Sequence, residues 1–324
     1  MESRSDAAAR GVLCCGNLVY DTLLRPVDNL SWDGGGTTFV ESIEYHVGGN
    51  GANTSRALGL LGVPVRLLGA VGDDEQGRLM LRTLAHSGVD TRYVNTVEAP
   101  TSATVGFVNS AGERKFFHCF GASKEALPDP IEFHAGLCSG MTHFHLASFF
   151  VLPRLRARGP DVLVRARAAG LTTSFDTNWD PEAGWMKTLA PCLPFLDILF
   201  MNEAEARMIT GSSDPRAGAE AVLAGGLQIA VMKLGVRGCA IYTGNQEILC
   251  PAFDVPAKDT TGAGDCFAAG FLAAWMDGAS LAEAGQFANA VAALSVQNIG
   301  AVTGVLSRPE THAWMRTTPV RAFR

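Results

Sequence analysis

Short runs of β-branched and apolar residues alternate with longer Ala- and Leu-rich stretches along almost the whole chain, and this alternation restricts its fold most. Strands are expected at residues 11–15, 65–71, 141–146, 172–176, 198–201 and 229–233. Helices are expected at 52–61, 75–87, 155–169, 203–210, 215–224, 265–276 and 281–296. Gly62, Gly88, Gly170 and Gly278 stand where those helices should stop, because glycine takes the left-handed conformation that closes a last turn. Strands separated by helices need crossover connections, which gives an α/β fold around a largely parallel sheet. Residues 19–46 and 101–120 break the alternation; they are polar, period-two and Gly-punctuated, as in antiparallel ribbons. No linker rich in Pro, Ser or Gly divides the 324 residues and no repeat is found, so one compact α/β domain is expected.

Charge and composition narrow the partners. The formal net charge is −6 and no Lys/Arg block occurs, so nucleic acid is not an expected partner. Basic residues between Arg154 and Arg167 alternate with Leu, Val and Ala, as on the solvated face of a helix. Residues 1–10 lack an apolar core and read as a flexible tail rather than a signal peptide. No apolar run approaches the roughly 18 residues needed to span a bilayer, so no membrane partner and a cytoplasmic location are expected. Cys14, Cys15, Cys119, Cys138, Cys192, Cys239, Cys250 and Cys266 form no CxxC pair and lie in apolar surroundings; buried free thiols in a reducing compartment are the expectation. His143 and His145 would share one strand face, but spacing offers no third metal ligand.

The chemistry concentrates in Asp259-Thr260-Thr261-Gly262-Ala263-Gly264-Asp265, which runs directly into the apolar segment 266–275. Small residues at a helix start let backbone N–H groups point at an anion, and the helix dipole adds its positive end. A carboxylate at the mouth of such a pocket suits a base that deprotonates a hydroxyl attacking a phosphoryl group. An ordinary N-cap is the competing use of a GxGD string, although the whole heptapeptide exceeds what a cap requires. Near the N-terminus Gly48-Gly49-Asn50-Gly51-Ala52-Asn53 forms a second glycine-rich helix start.

Together, in this order, the two motifs resemble the signatures of the PfkB sugar kinase family, and the resemblance runs from about Gly16 to about Gly304. It implies a ribokinase-like three-layer α/β/α fold with a mainly parallel central sheet and a small β-sheet lid. The kinase domain would cover 11–310, with lid segments at about 18–46 and 100–120. The implied activity is ATP-dependent transfer of the γ-phosphoryl group to a sugar or sugar-like polyol hydroxyl, with Mg2+ and often a monovalent cation such as K+. A lid matters because water competes for the phosphoryl group; among relatives it also mediates dimers, so a homodimer is an expectation. By resemblance Asp265 is the base and Gly262, Ala263 and Gly264 form the anion hole. Asp21, Gly49, Asn50 and Asn53 fall on the acceptor segment, where an ionised carboxylate and amides suit polyol hydroxyls; a turn-capping Asp is the alternative use of Asp21. Asn202 and Glu205 fall on Mg2+ hydration and phosphate positioning, with helix capping as the alternative. Lys233, Gly235 and Gly238 resemble the loop along the phosphates and adenine, and Asn289 the adenine wall. Asp259, with carbonyls near Thr261, Ser295, Asn298 and Gly300, resembles the monovalent-cation loop. Asp176, Asn178 and Asp180 suit either a site at a strand end or a turn before Pro181.

The match has departures. Ribokinases proper usually carry Lys where this chain has Asn50, and an acidic sugar contact near the position of Ala147. Phe116, Phe117, Phe149 and Phe150 could serve a nucleoside base, but core or lid packing also accounts for them. A sugar or polyol kinase is therefore the main expectation, with a nucleoside kinase and a non-catalytic sugar-binding regulator as alternatives. A Rossmann dehydrogenase would need GxGxxG after the first strand; the chain reads GNLVYD there.

Overall fold

Parallel strands covered on both faces carry apolar side chains at every position, and the first strand, GVLCC, is buried throughout. The computed structural model describes residues 10–29, 36–127 and 131–323. Residues 1–9 of the expected tail and 30–35 of the first ribbon segment lie outside the described residues.

In chain order the first half contains β1 (Gly11–Cys15), β2 (Val19–Arg25), β3 (Ser42–Gly48), α1 (Asn50–Leu60), β4 (Val65–Gly72), α2 (Glu75–His86), β5 (Val89–Asp90), β6 (Val94–Val97), β7 (Ala103–Val108) and β8 (Arg114–Cys119). Then follow α3 (Ala135–Cys138), β9 (Met141–Leu146), α4 (Pro153–Ala168), β10 (Thr172–Asp176), α5 (Trp185–Leu189), β11 (Ile198–Asn202), α6 (Glu203–Thr210), α7 (Pro215–Leu223) and β12 (Ile229–Lys233). The chain ends with β13 (Gly238–Tyr242), β14 (Glu247–Pro251), α8 (Ala263–Met276), α9 (Leu281–Ser295) and α10 (Arg308–Thr317).

The large sheet has the order β14-β13-β12-β11-β10-β9-β1-β4-β5, with β6 also on β4. From β12 to β5 the pairs are parallel, and β12, β13 and β14 form an antiparallel edge. Because the chain builds β4 on one side of β1 and β9 on the other, the loops after β1 and β9 diverge; such a switch point opens a crevice at the strand C-termini. Side chains of β1 alternate between two cores, Leu13 and Cys15 on one face, Val12 and Cys14 on the other. Phe271 and Phe200 fill the second core and Phe144 and Phe175 the first; each buried Phe contributes ~1.5–3 kcal/mol. Gly62, Gly88, Gly170 and Gly278 have φ of 79°, 80°, 82° and 91°, so each expected helix stop is left-handed. Among the described residues no helix is long and apolar enough to cross a membrane.

Several elements differ from the expectations. The β13–β14 hairpin, β5, β6 and α10 escape the sequence reading because each depends on an edge or surface already built by other elements. The two expected ribbons exist, yet they join edge to edge: β3 with β2 and β7 with β8 are antiparallel, whereas β2 with β7 is parallel. The Arg-rich face of α4 is not wholly solvated: Arg156, with an 11% exposed side chain, pairs with buried Asp180, and Arg167 pairs with Asp197. Cys119 is exposed on β8 and Cys138 half-buried, while the other six thiols are buried. His143 and His145 both reach the Ser174 hydroxyl, at 2.6 and 2.7 Å. Phe149 and Phe150 are core residues, and Phe116 and Phe117 lie half-exposed on β8.

Candidate active site

Two helix N-termini meet at the crevice beside β1. The first, α1, approaches so closely that a Cβ on Gly16 would lie 2.5 Å from Gly51 Cα. Asn17, in the loop after β1, fixes it there: its Oδ1 accepts from Asn50 N (2.9 Å) and from Ser148 Oγ (2.6 Å). The second, α8, carries Asp265 in its first turn. Asn50 Nδ2 donates to Asp265 Oδ1 at 2.9 Å and Asn53 Nδ2 to Asp265 Oδ2 at 2.8 Å. The amides expected at the acceptor thus orient the carboxylate, because a buried carboxylate needs donors on both oxygens and α1 offers two on adjacent turns. Burial pushes the Asp265 carboxyl up to about 6, against the opposing pull of Asn53, Asn50 and Lys233.

The loop before α8 shapes the cradle expected to hold an anion. Gly262 has φ 70° and no side-chain cap covers the helix start. Ala263 N–H makes only a long bond, 3.3 Å, to Thr260 O. A Cβ on Gly264 would lie 3.3 Å from Lys233 Nζ, which sets the ammonium against the cradle. Lys233 Nζ also binds Asp176 Oδ1 at 2.5 Å. Burial works against the lysine charge, but Asp176 and Glu205 outweigh it and hold its pKa above the ordinary value. Burial pushes Asp176 up to about 8 against the pull of Lys233, and Asp176 Oδ2 is buried without a hydrogen-bond partner. A methyl group at Gly262 would lie 2.5 Å from Ala301 Cβ in a backbone conformation L-residues avoid. Gly262→Ala is therefore expected to cost ~2 kcal/mol of stability in denaturant unfolding and, by displacing the cradle amides, to lower kcat ~10²-fold.

Beside the cradle lies a cavity of about 250 Å³, lined by Lys233, Gly235, Gly238, Ala263, Gly264 and Asn289 together with Phe253, Val255, Ala292 and Val296. Asn289 Nδ2 donates to Cys250 O (2.9 Å) and Pro251 O (3.2 Å), tying α9 to the end of β14 at the cavity wall. The apolar wall was missed in the sequence, though Asn289, Ala292, Ala293 and Val296 carry a signal: their i, i+3, i+4, i+7 spacing makes one small-residue face. Arg321, beyond the expected kinase segment, also lines the cavity, because the chain after α10 returns along residues 252–254. Asn202 and Glu205 do not line it. They form the capping box of α6, with Asn202 Oδ1 accepting from Glu205 N and Glu205 Oε2 from Asn202 N, both at 2.8 Å. The FDTNWDP segment divides: Asp176 joins Lys233, whereas Asn178 Oδ1 accepts from Phe150 N (3.2 Å) and Asp180 accepts from Glu182 N and Trp185 N (3.0 and 2.7 Å) within a turn.

The small sheet faces the same crevice. His46, Asp21, Thr104 and His118 form one cross-strand row, and Asp21 packs so tightly on Gly48 that a Cβ there would lie 1.9 Å from Asp21 Oδ2. Burial pushes Asp21 up to about 6, with Thr104 and His46 opposing. From β8, Arg114 reaches the loop expected to hold a monovalent cation. Its Nη1 and Nη2 both lie 3.3 Å from Asp259 Oδ1, and Nη1 lies 3.1 Å from Thr261 Oγ1. Asp259 Oδ1 also accepts from Thr261 N (3.0 Å) and Oγ1 (2.7 Å), and Oδ2 from Gly300 N (3.0 Å). Asn298 N turns to Ser295 O at 3.4 Å. Asp259, Thr261 and Gly300 therefore do cluster, but Asp259 Oδ1 is already filled by Thr261 N and Oγ1 and the Arg114 guanidinium, while Oδ2 accepts from Gly300 N. With Arg114 paired to Asp259 these residues do not fit K+, which would set a second positive charge beside the guanidinium on one carboxylate.

Residues 10–308 match the pfkB family carbohydrate kinases. The chain belongs to this family. It is 32% identical over 298 residues to an ATP-dependent ribose-1-phosphate kinase of Halopiger xanaduensis, covering 90% of this chain and 93% of that protein. It is 28% identical over 293 residues to a 2-dehydro-3-deoxygluconokinase of Bacillus subtilis, covering 87% and 90%. Among solved structures it resembles Arabidopsis thaliana ribokinase complexed with ribose and ATP, with TM-score 0.83 and 26% identity over 95% of this chain and 99% of that one. As a pfkB-family carbohydrate kinase the chain is a phosphotransferase acting on a sugar hydroxyl, and its three-layer architecture is the ribokinase-like one.

Proposed function

We propose that this kinase transfers the γ-phosphoryl group of ATP to a hydroxyl of a small sugar or polyol, with Asp265 as the base. The observation that carries this reading is the carboxylate itself, buried and held by Asn50 and Asn53, one residue from a cradle that abuts both Lys233 and an apolar cavity. In the proposed reaction the acceptor hydroxyl lies between Asp21 and Asp265 and gives its proton to Asp265 as its oxygen attacks. The Gly262–Gly264 amides and the α8 dipole stabilise charge on the transferring group, and Lys233 holds it as a point charge. Adenine takes the cavity against Asn289, Ala292 and Val296, while Gly235 and Gly238 let the chain pass along the phosphates. Residues fit to hold hydrated Mg2+ are Asn202, Glu205 and Asp176, whose partnerless Oδ2 suits a cation's water; the ion supplies neutralisation of phosphate charge. Among the described residues no three His, Cys, Asp or Glu side chains group as a direct metal cage.

In this reading residues 11–310 form one kinase domain and the small sheet is its lid, excluding water when the acceptor is bound. Its outer face exposes Ile43, Tyr45 and Phe117, which supports a second copy docking there. The buried thiols suit a reducing cytoplasm. The test is a coupled ADP-release screen over neutral sugars, sugar acids, sugar phosphates, cyclitols and nucleosides. ADP release dependent on a sugar or polyol is expected; release with nucleosides alone, or with nothing, would overturn the reading.

A further inference from the structure

The anion cradle is not held by its own loop alone. Asp259 braces two segments at once, Thr261 at the start of the cradle and Gly300 after α9, and Gly262 is wedged against Ala301 between them. The small sheet touches this scaffold from outside. Arg114 binds Asp259 and Thr261 across 145 and 147 residues of sequence, and a Cβ on Gly300 would lie 3.4 Å from His46 Nδ1 on β3. A guanidinium suits the place because it is always charged and its planar fork can serve a carboxylate and a hydroxyl together. The arginine is 36% exposed and lies on an otherwise exposed strand, whereas Asp259 is nearly buried, so a displacement of the sheet would part the two.

We propose that Arg114 is a positioning residue: it tethers the closed small sheet to Asp259 and Thr261 and supplies, from the protein itself, the positive charge that steadies the anion cradle. Closure and cradle rigidity are thereby coupled, and turnover does not require K+. The inference rests on the kinase reading only for its kinetic test. In K+-free buffer, Arg114→Ala should lower kcat about 10²-fold with little change in nucleotide KM, comparable to losing one anion-hole donor. Millimolar guanidinium or 100 mM-range K+ should restore about a tenth or more of the loss, while the unmodified enzyme stays within about twofold with or without K+. Arg114→Lys should fall between. Strong K+ activation of the unmodified enzyme, wild-type kcat in R114A, or a loss that neither cation relieves would each overturn the proposal. Amide exchange over residues 259–264 gives a readout independent of turnover: R114A, or Arg114→Gln if the alanine variant folds poorly, should lose protection there while the central strands keep theirs. Unchanged exchange would overturn the tether even if no acceptor is found. Absence of ADP release by the unmodified enzyme with every acceptor would instead count against the kinase reading.

Discussion

Asp265→Asn is expected to lower kcat by ~10³-fold, in the range that a positioned general base contributes, while ATP still binds in its separate cavity. The carboxylate is buried and its pKa is pushed up to about 6, so it is ionised at neutral pH and ready to take a proton. The sign follows from its role. In the proposed mechanism activity needs the ionised form, so kcat/KM should fall as pH drops through about 6 and stay level above it. The variant should lack this acidic limb. It also meets Asn50 Nδ2 and Asn53 Nδ2 with one acceptor oxygen where the carboxylate offers two, so one amide must turn away. Measuring kcat/KM against pH, with ATP affinity by calorimetry, separates lost chemistry from lost binding. More than a tenth of the original kcat in the variant would remove Asp265 as the base.

Lys233→Met should have the next largest effect, ~10²–10³-fold in kcat/KM for ATP, because it deletes an ammonium set against the cradle. It also leaves Asp176, Glu205 and Asp265 without the charge that interacts with all three. Breaking a buried pair this way costs ~3 kcal/mol or more when the remaining charge cannot neutralise. Asp176 can neutralise, since burial already pushes it up to about 8. A carboxyl whose folded pKa is raised favours the folded state when protonated. The stability that Asp176 contributes is therefore present at low pH and lost as pH rises through its folded value. The variant should melt closer to the parent at pH 6 than at pH 9, and its acidic limb should move upward because Lys233 no longer pulls Asp265 down. A denaturation series across that range, with ADP-release kinetics, checks both statements; pH-independent destabilisation would contradict this account of Asp176.

Much of the frame was legible because it is written locally. Period, length and a left-handed glycine stop announce a helix without knowledge of its neighbours, and Gly62, Gly88, Gly170 and Gly278 all behave so. The helix start after Gly262 was likewise legible, since small residues and a carboxylate before an apolar run suit an N-terminus. What the residues alone could not disclose depends on distant partners. Nothing around Arg114 shows that it meets Asp259, and Ser148 becomes a site residue only through Asn17. That the amides of Asn50 and Asn53 bond Asp265 depends on α8, which their own segment does not reveal. The β13–β14 hairpin needs β12 as a template, and the FDTNWDP segment divides Asp176, Asn178 and Asp180 between Lys233, Phe150 and a turn.

The contact between Asn50 and Asp265 spans 215 positions, and it has a consequence for the chain during its synthesis. At ribosomal rates, on the order of ten to forty seconds separate the emergence of one partner from the other. Throughout that interval the N-terminal glycine-rich turn exists without the carboxylate it will orient, and Lys233, once made, waits for the turn before α8 to rest against. A polypeptide that ends before Asp265 lacks the carboxylate that Asn50 and Asn53 orient, and with it the proposed base.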